Sequence, residues 1–288
     1  MNEIAPDGLP WNPSSYKGLV INVALTGAVP SKSKFPRLPI TPEEIARDVQ
    51  NCASLGAQVF HLHMRDNTGK PTQDPRLYEE TIERIRDTNP EVLLCVTTSS
   101  RASTDFEDRL TPLKLKLSRQ PELASLSIGS FNFPDSISRN PLVEIKALAE
   151  YMLKVGVKPE LEVFEPGMVS TALNLVRQGE IAPPMVFNIL LGNNGTSSLT
   201  ASSITPFLTQ FDTSTEWALA GIGRFQRKAI LLGVALGGNV RVGLEDDPVG
   251  DGNGTWSNMD SVSIAVQAAK LVNRPLASCE EVRTRFGI

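Results

Sequence analysis

Residues 19–64 read LVINVALTGAVPSKSKFPRLPITPEEIARDVQNCASLGAQVFHLHM and hold one complete strand–helix–strand unit. Two runs in it, LVINVAL (19–25) and QVFHLHM (58–64), have the length and the apolar content of buried strands. The segment between them predicts a helix, because Thr41 and Glu44 form a capping-box pattern ahead of an apolar stripe. A unit of this kind predicts parallel strands that are joined by a right-handed crossover.

The same alternation continues to the end of the chain. Eight strand-like runs are predicted, at 19–25, 58–64, 92–98, 123–129, 160–165, 185–191, 216–222 and 239–245. Eight βα units in this length predict an α/β protein with one domain, a closed (β/α)8 TIM barrel over residues 18–288, preceded by an N-terminal arm at 1–17. An open doubly wound sheet is the alternative, but the loop after the first strand lacks the G-x-G-x-x-G phosphate pattern.

Composition and charge narrow the class of partner. The 288 residues carry a formal net charge of -4, which argues against a nucleic-acid or anionic-membrane ligand and favours a small molecule. Cys52, Cys95 and Cys279 are scattered, so neither a disulfide framework nor a thiolate zinc site is expected. The chain has no apolar run of about 20 residues and no secretory signal pattern, and we therefore expect a cytoplasmic protein without a membrane span.

The only two histidines, His61 and His63, stand two positions apart in the second strand run. Alternate strand residues share a face, so both imidazoles can bind one metal ion. With no third histidine in the chain, the remaining ligand has to be a carboxylate, and Glu245 ends the eighth run. Such a His2Glu set suits catalytic Zn²⁺ with an open position. The alternative is a pair of hydrogen-bonded core histidines without a metal.

Polar side chains stand near the carboxyl ends of almost all the predicted strands, where a TIM barrel places its active site. They are Thr26, Arg65, Thr97, Thr98, Ser99, Ser125, Ser127, Glu160, Glu162, Asn188, Arg224, Asp246 and Asp247. Two alternatives stay open here. Arg65 and Arg224 can be structural partners of the carboxylates, and Asp247 can serve as a helix cap or a solvated loop residue.

Several motifs together resemble one family, the zinc-dependent β-keto acid cleavage enzymes. They run in order from residue 19 to the end of the chain: ALTGAVPSK with LPITPEEIARD, GAQVFHLHMRDNTGKP, RLTPLKL, PELASLSIGSFNF, KPELEVFEPGM, WALAGIGRFQ, GGNVRVGLEDD and SN at 257–258. The resemblance implies a TIM barrel with a zinc ion on His61, His63 and Glu245. It also implies condensation of a β-keto acid with acetyl-CoA, which yields acetoacetate and a new acyl-CoA.

The resemblance assigns further roles by position. Asp246 is the expected base, Arg224 is expected to orient Asp246 and to stabilise negative charge, and Glu162 is expected to shuttle a proton. Thr97 and Ser125 occupy positions at which family members carry hydroxyls that bind substrate. The resemblance also implies a homo-oligomer, with a tetramer expected.

The chain departs from the family pattern at Val29, in the loop after the sixth strand, at Asn239 in GGN where relatives have GGH, and in the run DPVGDGNGTW. Some relatives carry a glutamate that binds a substrate amino group where this chain has Val29, so a neutral or apolar substrate is expected instead. The loop after the sixth strand, V-P-G-G-like in relatives, is here Asn193, Asn194, Gly195 and Thr196, which leaves the thioester partner open.

Two other functions remain as alternatives. A metal-dependent barrel hydrolase also uses an H-x-H strand, although it typically recruits more histidines from later strands, and this chain has none. A barrel that binds a ligand without turnover is the other, since a fold does not imply a function.

Overall fold

A closed barrel of eight parallel strands forms the centre of the protein. The computed structural model describes residues 17–101, 103–116, 120–133, 136–252 and 254–288, so residues 1–16 of the predicted arm lie outside the described residues. The barrel strands are β1 (Ile21–Ala24), β2 (Val59–Leu62), β3 (Leu93–Val96), β4 (Leu123–Ser127), β5 (Lys158–Val163), β6 (Val186–Leu191), β7 (Glu216–Gly221) and β8 (Asn239–Val242).

Each strand pairs with the strands before and after it in sequence, and β8 pairs with β1 to close the barrel. The closure register sets Asn22 of β1 opposite both Arg241 of β8 and Val59 of β2. The predicted TIM barrel is thus confirmed, and the open doubly wound sheet is wrong. Most strands are shorter than the predicted runs, because the residues at the carboxyl ends turn into the loops that form the site.

Nine α-helices are assigned in the described ranges. They are α1 (Pro42–Ser54), α2 (Pro75–Thr88), α3 (Phe106–Leu110), α4 (Leu142–Val155), α5 (Pro166–Arg177), α6 (Ala201–Leu208), α7 (Gln226–Ala235), α8 (Asn258–Leu271) and α9 (Cys279–Phe286). The predicted capping box of α1 is present, since Thr41 and Glu44 each accept a hydrogen bond from the other's backbone N–H at 3.2 Å. Among the described residues, no helix has the length and apolarity that a membrane crossing requires.

Two pairs of short antiparallel strands lie at the carboxyl end of the barrel. Met64–Arg65 pairs with Pro71–Thr72 after β2, and Phe131–Phe133 pairs with Ser136–Ser138 after β4. Both pairs extend the loops at this end of the barrel. The second pair lines the cavity described below through Phe131, Phe133, Ser136 and Ser138.

The amino end of the barrel interior is filled with apolar side chains. An inner cluster of Val20, Val59, Leu93, Leu123 and Val186 packs against Ala277 and against Val282 and Phe286 of α9. Each fully buried aliphatic side chain of this kind stabilises the fold by about 1.5–3 kcal/mol. Helix α9, which lies beyond the eight predicted βα units, therefore covers the amino end, whereas the candidate metal ligands lie at the carboxyl end.

Candidate active site and metal centre

Three side chains that can bind a metal meet at the carboxyl end of the barrel. His61 lies on β2, His63 follows it on the same face, and Glu245 lies in the turn after β8. His63 Nε2 is 3.4 Å from Glu245 Oε1, and His61 Nε2 is 3.9 Å from Glu245 Oε2. One ligand atom from each of the three lies within 4.8 Å of the others. The structure thus brings the predicted ligands together.

The turn after β8 places Glu245 by backbone contacts with β1. The N–H of Glu245 donates to the carbonyl of Ala24 at 3.1 Å, and the N–H of Leu244 donates to Asn258 Oδ1 at 2.7 Å. Gly27 leaves room for the carboxylate, because a Cβ at this position would lie 2.5 Å from Glu245 Cγ. Gly27 also has φ +64°, a conformation that favours glycine.

The electrostatics of His61 and Glu245 fit a metal ion. Burial lowers the pKa of His61 well below its usual value, an effect that Glu245 partly opposes, so this imidazole is neutral. Burial raises the pKa of Glu245, but His63, His61 and Arg241 outweigh it and hold the pKa well below its usual range. Neutral imidazole and ionised carboxylate are the forms that bind metals. Two buried atoms of this set, His61 Nδ1 and Glu245 Oε2, have no hydrogen-bond partner.

A second set of donors lies deeper in the barrel and shares His61. Cys95 on β3 and Glu160 on β5 lie close to His61, and one donor atom of each lies within 4.8 Å of the other two. All three side chains are buried. Cys95 Sγ donates to Glu160 Oε2 at 3.4 Å. Cys95, which the sequence did not place in any site, therefore takes part in a buried polar contact.

Arg241 is the centre of the charge network at this site. Its Nε donates to Asp246 Oδ2 at 2.9 Å, and its Nη2 donates to Asp246 Oδ1 at 3.2 Å. It also contacts Glu162 through Nη1 and Glu245 through Nη2, both at 3.1 Å. Burial lowers the pKa of Arg241, but its carboxylate partners outweigh burial and raise the pKa well above the usual value. The guanidinium thus keeps its charge among three carboxylates.

Asp246 is buried beside this guanidinium at the wall of the cavity described below. Burial raises the pKa of its carboxyl to about 6, and Arg241 limits the shift while Glu245 adds to it. A carboxylate in this range can accept and return a proton near neutral pH.

The structure does not place Arg224 against Asp246 as the resemblance implied. Arg224 follows β7 in an exposed turn, and its guanidinium lies 5.1 Å from the ring centroid of Phe225. The bidentate partner of Asp246 is Arg241, which lies on β8 and turns inward. The signal was available in NVRVGLE, where a charged residue occupies the middle of an apolar strand.

A cavity of about 570 Å³ opens above these groups. Thr97 and Val29 line it, as does Glu162, whose Oε2 accepts a hydrogen bond from Ser127 Oγ at 2.8 Å. Ser125 lies deeper, 2% exposed, and its Oγ accepts from the N–H of Thr98 at 3.4 Å. The serine of β4 that lines the cavity is therefore Ser127, because it lies one step further along the same strand face.

The loop that carries Val29 is fixed by Arg65. The Arg65 guanidinium donates to the carbonyls of Gly27, Pro30 and Gly69 at 2.8, 2.9 and 2.8 Å. Arg65 thus has the structural role that the sequence left open, although its hydrogen-bond partners are backbone carbonyls instead of carboxylates. The side chain of Val29 is 64% exposed on this loop.

An aromatic cluster forms another part of the cavity wall. Phe131 stacks on Phe164 with ring centroids 3.7 Å apart, and Phe131 also contacts Phe133 at 5.0 Å. The guanidinium of Arg101 lies 3.8 Å from the Phe133 centroid. Sequence analysis predicted neither the aromatic cluster nor its contact with Arg101. These side chains come from different parts of the chain, and no strand or helix pattern predicts contacts between them.

The altered loop after β6 also reaches the cavity. Asn193 lines the cavity, and its Nδ2 donates to the carbonyl of Asn132 at 3.0 Å. The loop therefore packs on the short strand pair at 131–138.

Comparisons with known proteins agree with this geometry. Residues 18–288 match the family described as beta-keto acid cleavage enzyme. The 3-keto-5-aminohexanoate cleavage enzyme of Acetoanaerobium sticklandii is 35% identical over 272 residues, which cover 94% of this chain and 98% of the relative. The 3-oxoadipate:acetyl-CoA acetyltransferase of Cupriavidus necator is 30% identical over 265 residues, which cover 91% of this chain and 88% of the relative.

A solved structure supports the fold. The apo structure of ObcA superimposes with a TM-score of 0.74 at 22% identity, over 88% of this chain and 66% of the ObcA chain. At that identity the likeness concerns the barrel alone. The family match spans the whole barrel, and so the protein belongs to the beta-keto acid cleavage enzyme family and is an enzyme of that type.

Proposed function

We propose that the protein condenses a β-keto acid with acetyl-CoA in a zinc-dependent reaction and releases acetoacetate and a new acyl-CoA. One observation carries the proposal. In a barrel of this family, Asp246 is held by Arg241 directly beside the donor set of His61, His63 and Glu245, at the base of one cavity. A metal site and a carboxylate base are what this chemistry requires.

His61, His63 and Glu245 would hold the zinc ion. When bound, zinc would supply Lewis-acid polarisation of a substrate carbonyl. Three protein ligands leave a coordination position for substrate, which is the pattern of catalytic zinc sites. The deeper set of His61, Cys95 and Glu160 lies below the cavity, and for this reason we assign the catalytic ion to the upper set.

Asp246 would remove a proton from the methylene between the keto and carboxylate groups of the β-keto acid. The carbanion then forms a bond to the acetyl carbonyl carbon, and the CoA thiolate leaves. The thiolate attacks the original keto carbon, the bond from that carbon to the methylene breaks, and acyl-CoA is released. Asp246 returns its proton to the methylene of acetoacetate, which balances the exchange of one acyl group for another.

Arg241 would orient Asp246 and favour its ionised form before proton removal, because the guanidinium donates two buried hydrogen bonds to the carboxylate. Glu162, which Arg241 and Ser127 hold in place, would shuttle a proton at the cavity wall. Thr97 and Ser127 would bind substrate oxygens, and Ser125 would support the strand beneath them. In this proposal Arg241 takes the role that sequence analysis gave to Arg224.

The cavity wall supports a substrate without an amino group. Val29 places an isopropyl group where a carboxylate would bind a cation, and the cluster of Phe131, Phe133 and Phe164 adds an apolar surface. Arg101 is a cation on the same wall. We therefore propose a β-keto acid with an apolar substituent, whose carboxylate Arg101 attracts.

The first experiment measures zinc per chain by elemental analysis, with His61→Ala as the matched control. We expect about one equivalent in the parent and its loss in the variant. A panel of β-keto acids with acetyl-CoA should then give acetoacetate and acyl-CoA in equal amounts. Substrate consumption without CoA would support a hydrolase instead, and a folded parent that takes up no zinc would support a barrel without turnover.

We also propose a homo-oligomer, a tetramer by resemblance to the family. Apolar side chains on the surface of α4 are consistent with association, since Val143 is 72% exposed and Leu153 is 52% exposed. Sedimentation equilibrium of the purified protein measures the state directly. A monomer at micromolar protein concentration would contradict the proposed oligomer but would not affect the proposed reaction.

A further inference from the structure

Below the cavity lies a carboxylate that the proposed mechanism does not use. Glu160 on β5 is 1% exposed and lies one step deeper in the barrel than Glu162. Unpaired buried carboxylates are costly, so a side chain of this kind calls for a role. The groups around it come from three other strands of the barrel and include His61.

The His61 ring lies between two carboxylates, and each ring nitrogen faces one of them. On the cavity side, Nε2 is 3.9 Å from Glu245 Oε2. On the opposite side, Nδ1 is 3.8 Å from Glu160 Oε2. Nδ1 is buried and has no hydrogen-bond partner in the structure. A neutral imidazole that binds a metal through one nitrogen carries its proton on the other, and that N–H needs an acceptor.

Two donors hold the Glu160 carboxylate in place for this purpose. Asn22 Nδ2 donates to Oε1 at 2.5 Å, and Cys95 Sγ donates to Oε2 at 3.4 Å. The separation of 3.8 Å between His61 Nδ1 and Glu160 Oε2 is longer than a hydrogen bond. A movement of about 1 Å closes it, since N–H···O bonds are typically 2.7–3.2 Å long.

We propose that Glu160 is a positioning residue of the metal site, which accepts a hydrogen bond from His61 Nδ1–H and thereby directs Nε2 of His61 to the metal. The inference rests on the proposed metal centre. A carboxylate in this place fixes the tautomer and the orientation of the ring and makes the imidazole a stronger ligand. Glu160 reaches neither substrate nor metal in this arrangement, so its effect passes entirely through His61.

The low histidine content allows a direct test on the parent protein. With ¹⁵N-histidine labelling, the only ring signals come from His61 and His63. His63→Ala assigns the His61 signals in the zinc-free protein, and these are then followed as zinc is added to the parent. In the zinc-loaded protein we expect His61 to carry its proton on Nδ1, in slow exchange with water, and to bind zinc through Nε2. A proton on Nε2 with zinc on Nδ1 would overturn the inference, whatever the variants do.

Variants test the consequence for metal affinity. Zinc dissociation constants are measured by competition with a chromophoric chelator for the parent, Glu160→Leu and Glu160→Gln. We expect Glu160→Leu to bind zinc about 10–100-fold more weakly, which is the usual effect of losing such a partner. Glu160→Gln should fall between the two, because its amide oxygen can still accept from Nδ1–H. If Glu160→Leu does not fold, the comparison of zinc affinity between the parent and Glu160→Gln still tests the inference.

Cys95→Ala is the matched control, since it removes a neighbour of Glu160 but leaves the acceptor for His61 in place. We expect its zinc affinity to lie within about threefold of the parent, on the scale of an ordinary side-chain contact. A loss in Cys95→Ala as large as in Glu160→Leu would mean that His61, Cys95 and Glu160 bind the ion themselves, which overturns the inference. Equal zinc affinity in the parent and Glu160→Leu would overturn the role of Glu160 but leave the proposed metal centre intact. A parent that binds no zinc would overturn both.

Discussion

Arg241 and Asp246 form a two-point ion pair inside the barrel, with Nε–Oδ2 and Nη2–Oδ1 distances of 2.9 and 3.2 Å. The two residues are five positions apart, one on β8 and the other in the turn that follows it. The same guanidinium contacts Glu245 and Glu162. Removing it would leave three carboxylates close together without the hydrogen-bonded cation that they share.

Replacing this arginine should therefore harm turnover far more than replacing the arginine in the exposed turn. We expect Arg241→Lys to lower kcat about 100-fold or more, since lysine cannot make two parallel hydrogen bonds and one lost electrostatic contact has effects of this size. Arg224→Lys should change kcat by less than about threefold, as for other exposed surface residues. Steady-state kinetics with one substrate measure kcat for both variants. A larger loss of kcat in Arg224→Lys than in Arg241→Lys would mean that Arg224 is the arginine that supports turnover.

Substitutions at the adjacent residues Glu245 and Asp246 should distinguish the loss of metal binding from the loss of proton transfer. Glu245→Gln replaces a ligand and should lose both zinc and activity. Asp246→Asn keeps the ligand set, so it should retain about one zinc per chain while its turnover falls by about 10²–10⁴-fold, the usual contribution of a general base. Elemental analysis beside a coupled acetoacetate assay measures both. A fully active, zinc-loaded Asp246→Asn protein would contradict the assignment of Asp246 as base.

A carboxylate at position 29 should change substrate preference. Val29 lines the cavity and is 64% exposed, so the fold should tolerate Val29→Glu. The new charge should raise kcat/KM for amino-bearing β-keto acids relative to apolar ones by up to about fivefold, on the scale of an exposed ionic contact of about 1 kcal/mol. Val29→Gln has the same size without the charge and serves as the control. Equal ratios in the two variants would show that this position does not face the substrate.

Gly27 should be essential for the geometry of Glu245. A Cβ at Gly27 would lie 2.5 Å from Glu245 Cγ, whereas a Cβ at Gly156 would have nothing within 4 Å. Both residues have positive φ, +64° and +73°, so both alanine variants carry similar backbone strain of about 1 kcal/mol. Only Gly27→Ala should also weaken zinc binding. Equal zinc affinity in the two variants would contradict the close contact.

Asp48 should make the fold less stable as the pH rises. Burial raises the pKa of its carboxyl to about 6, although Asn258 opposes the shift by donating to Oδ2 at 2.6 Å. A folded-state pKa above the unfolded one means that stability is greatest below the unfolded value, near 3.9, and falls as the pH rises to about 6. The loss amounts to at most about 3 kcal/mol.

Asp48→Asn removes this ionisation and keeps an oxygen that can accept from Asn258. We expect urea denaturation to show a higher free energy of unfolding than the parent at pH 8 and little difference near pH 4. The low-pH comparison is the internal control. A constant difference across this pH range would show that the effect of the substitution is not due to ionisation.

The barrel and the grouping of the candidate metal ligands could be predicted because most of their signals are local in sequence. The strand runs alternate with capped helices, and parallel connections of one hand leave few arrangements of eight such units. The period of two along a strand places His61 and His63 on one face, and their rarity made them conspicuous. Glu245 followed from the absence of a third histidine.

The partners of the catalytic carboxylates could not be predicted in the same way. The resemblance pointed to Arg224, but the partner of Asp246 depends on which side chain turns inward at the end of β8. Ser125 and Ser127 share a strand face, and only the depth of the cavity tells which of them faces substrate. The contact between Glu160 and His61 joins strands that do not neighbour each other in the barrel.

The sequence by itself determined the architecture, the family and the shared strand face of His61 and His63, because strand period, helix caps and motif order are properties of consecutive residues. The tertiary structure alone decided that Arg241 holds Asp246, that an aromatic wall with Arg101 borders the cavity, and that Glu160 lies behind His61. These relations arise when barrel closure brings side chains from separate strands and loops together. Their distances depend on register and tilt, which the order of residues along the chain does not state.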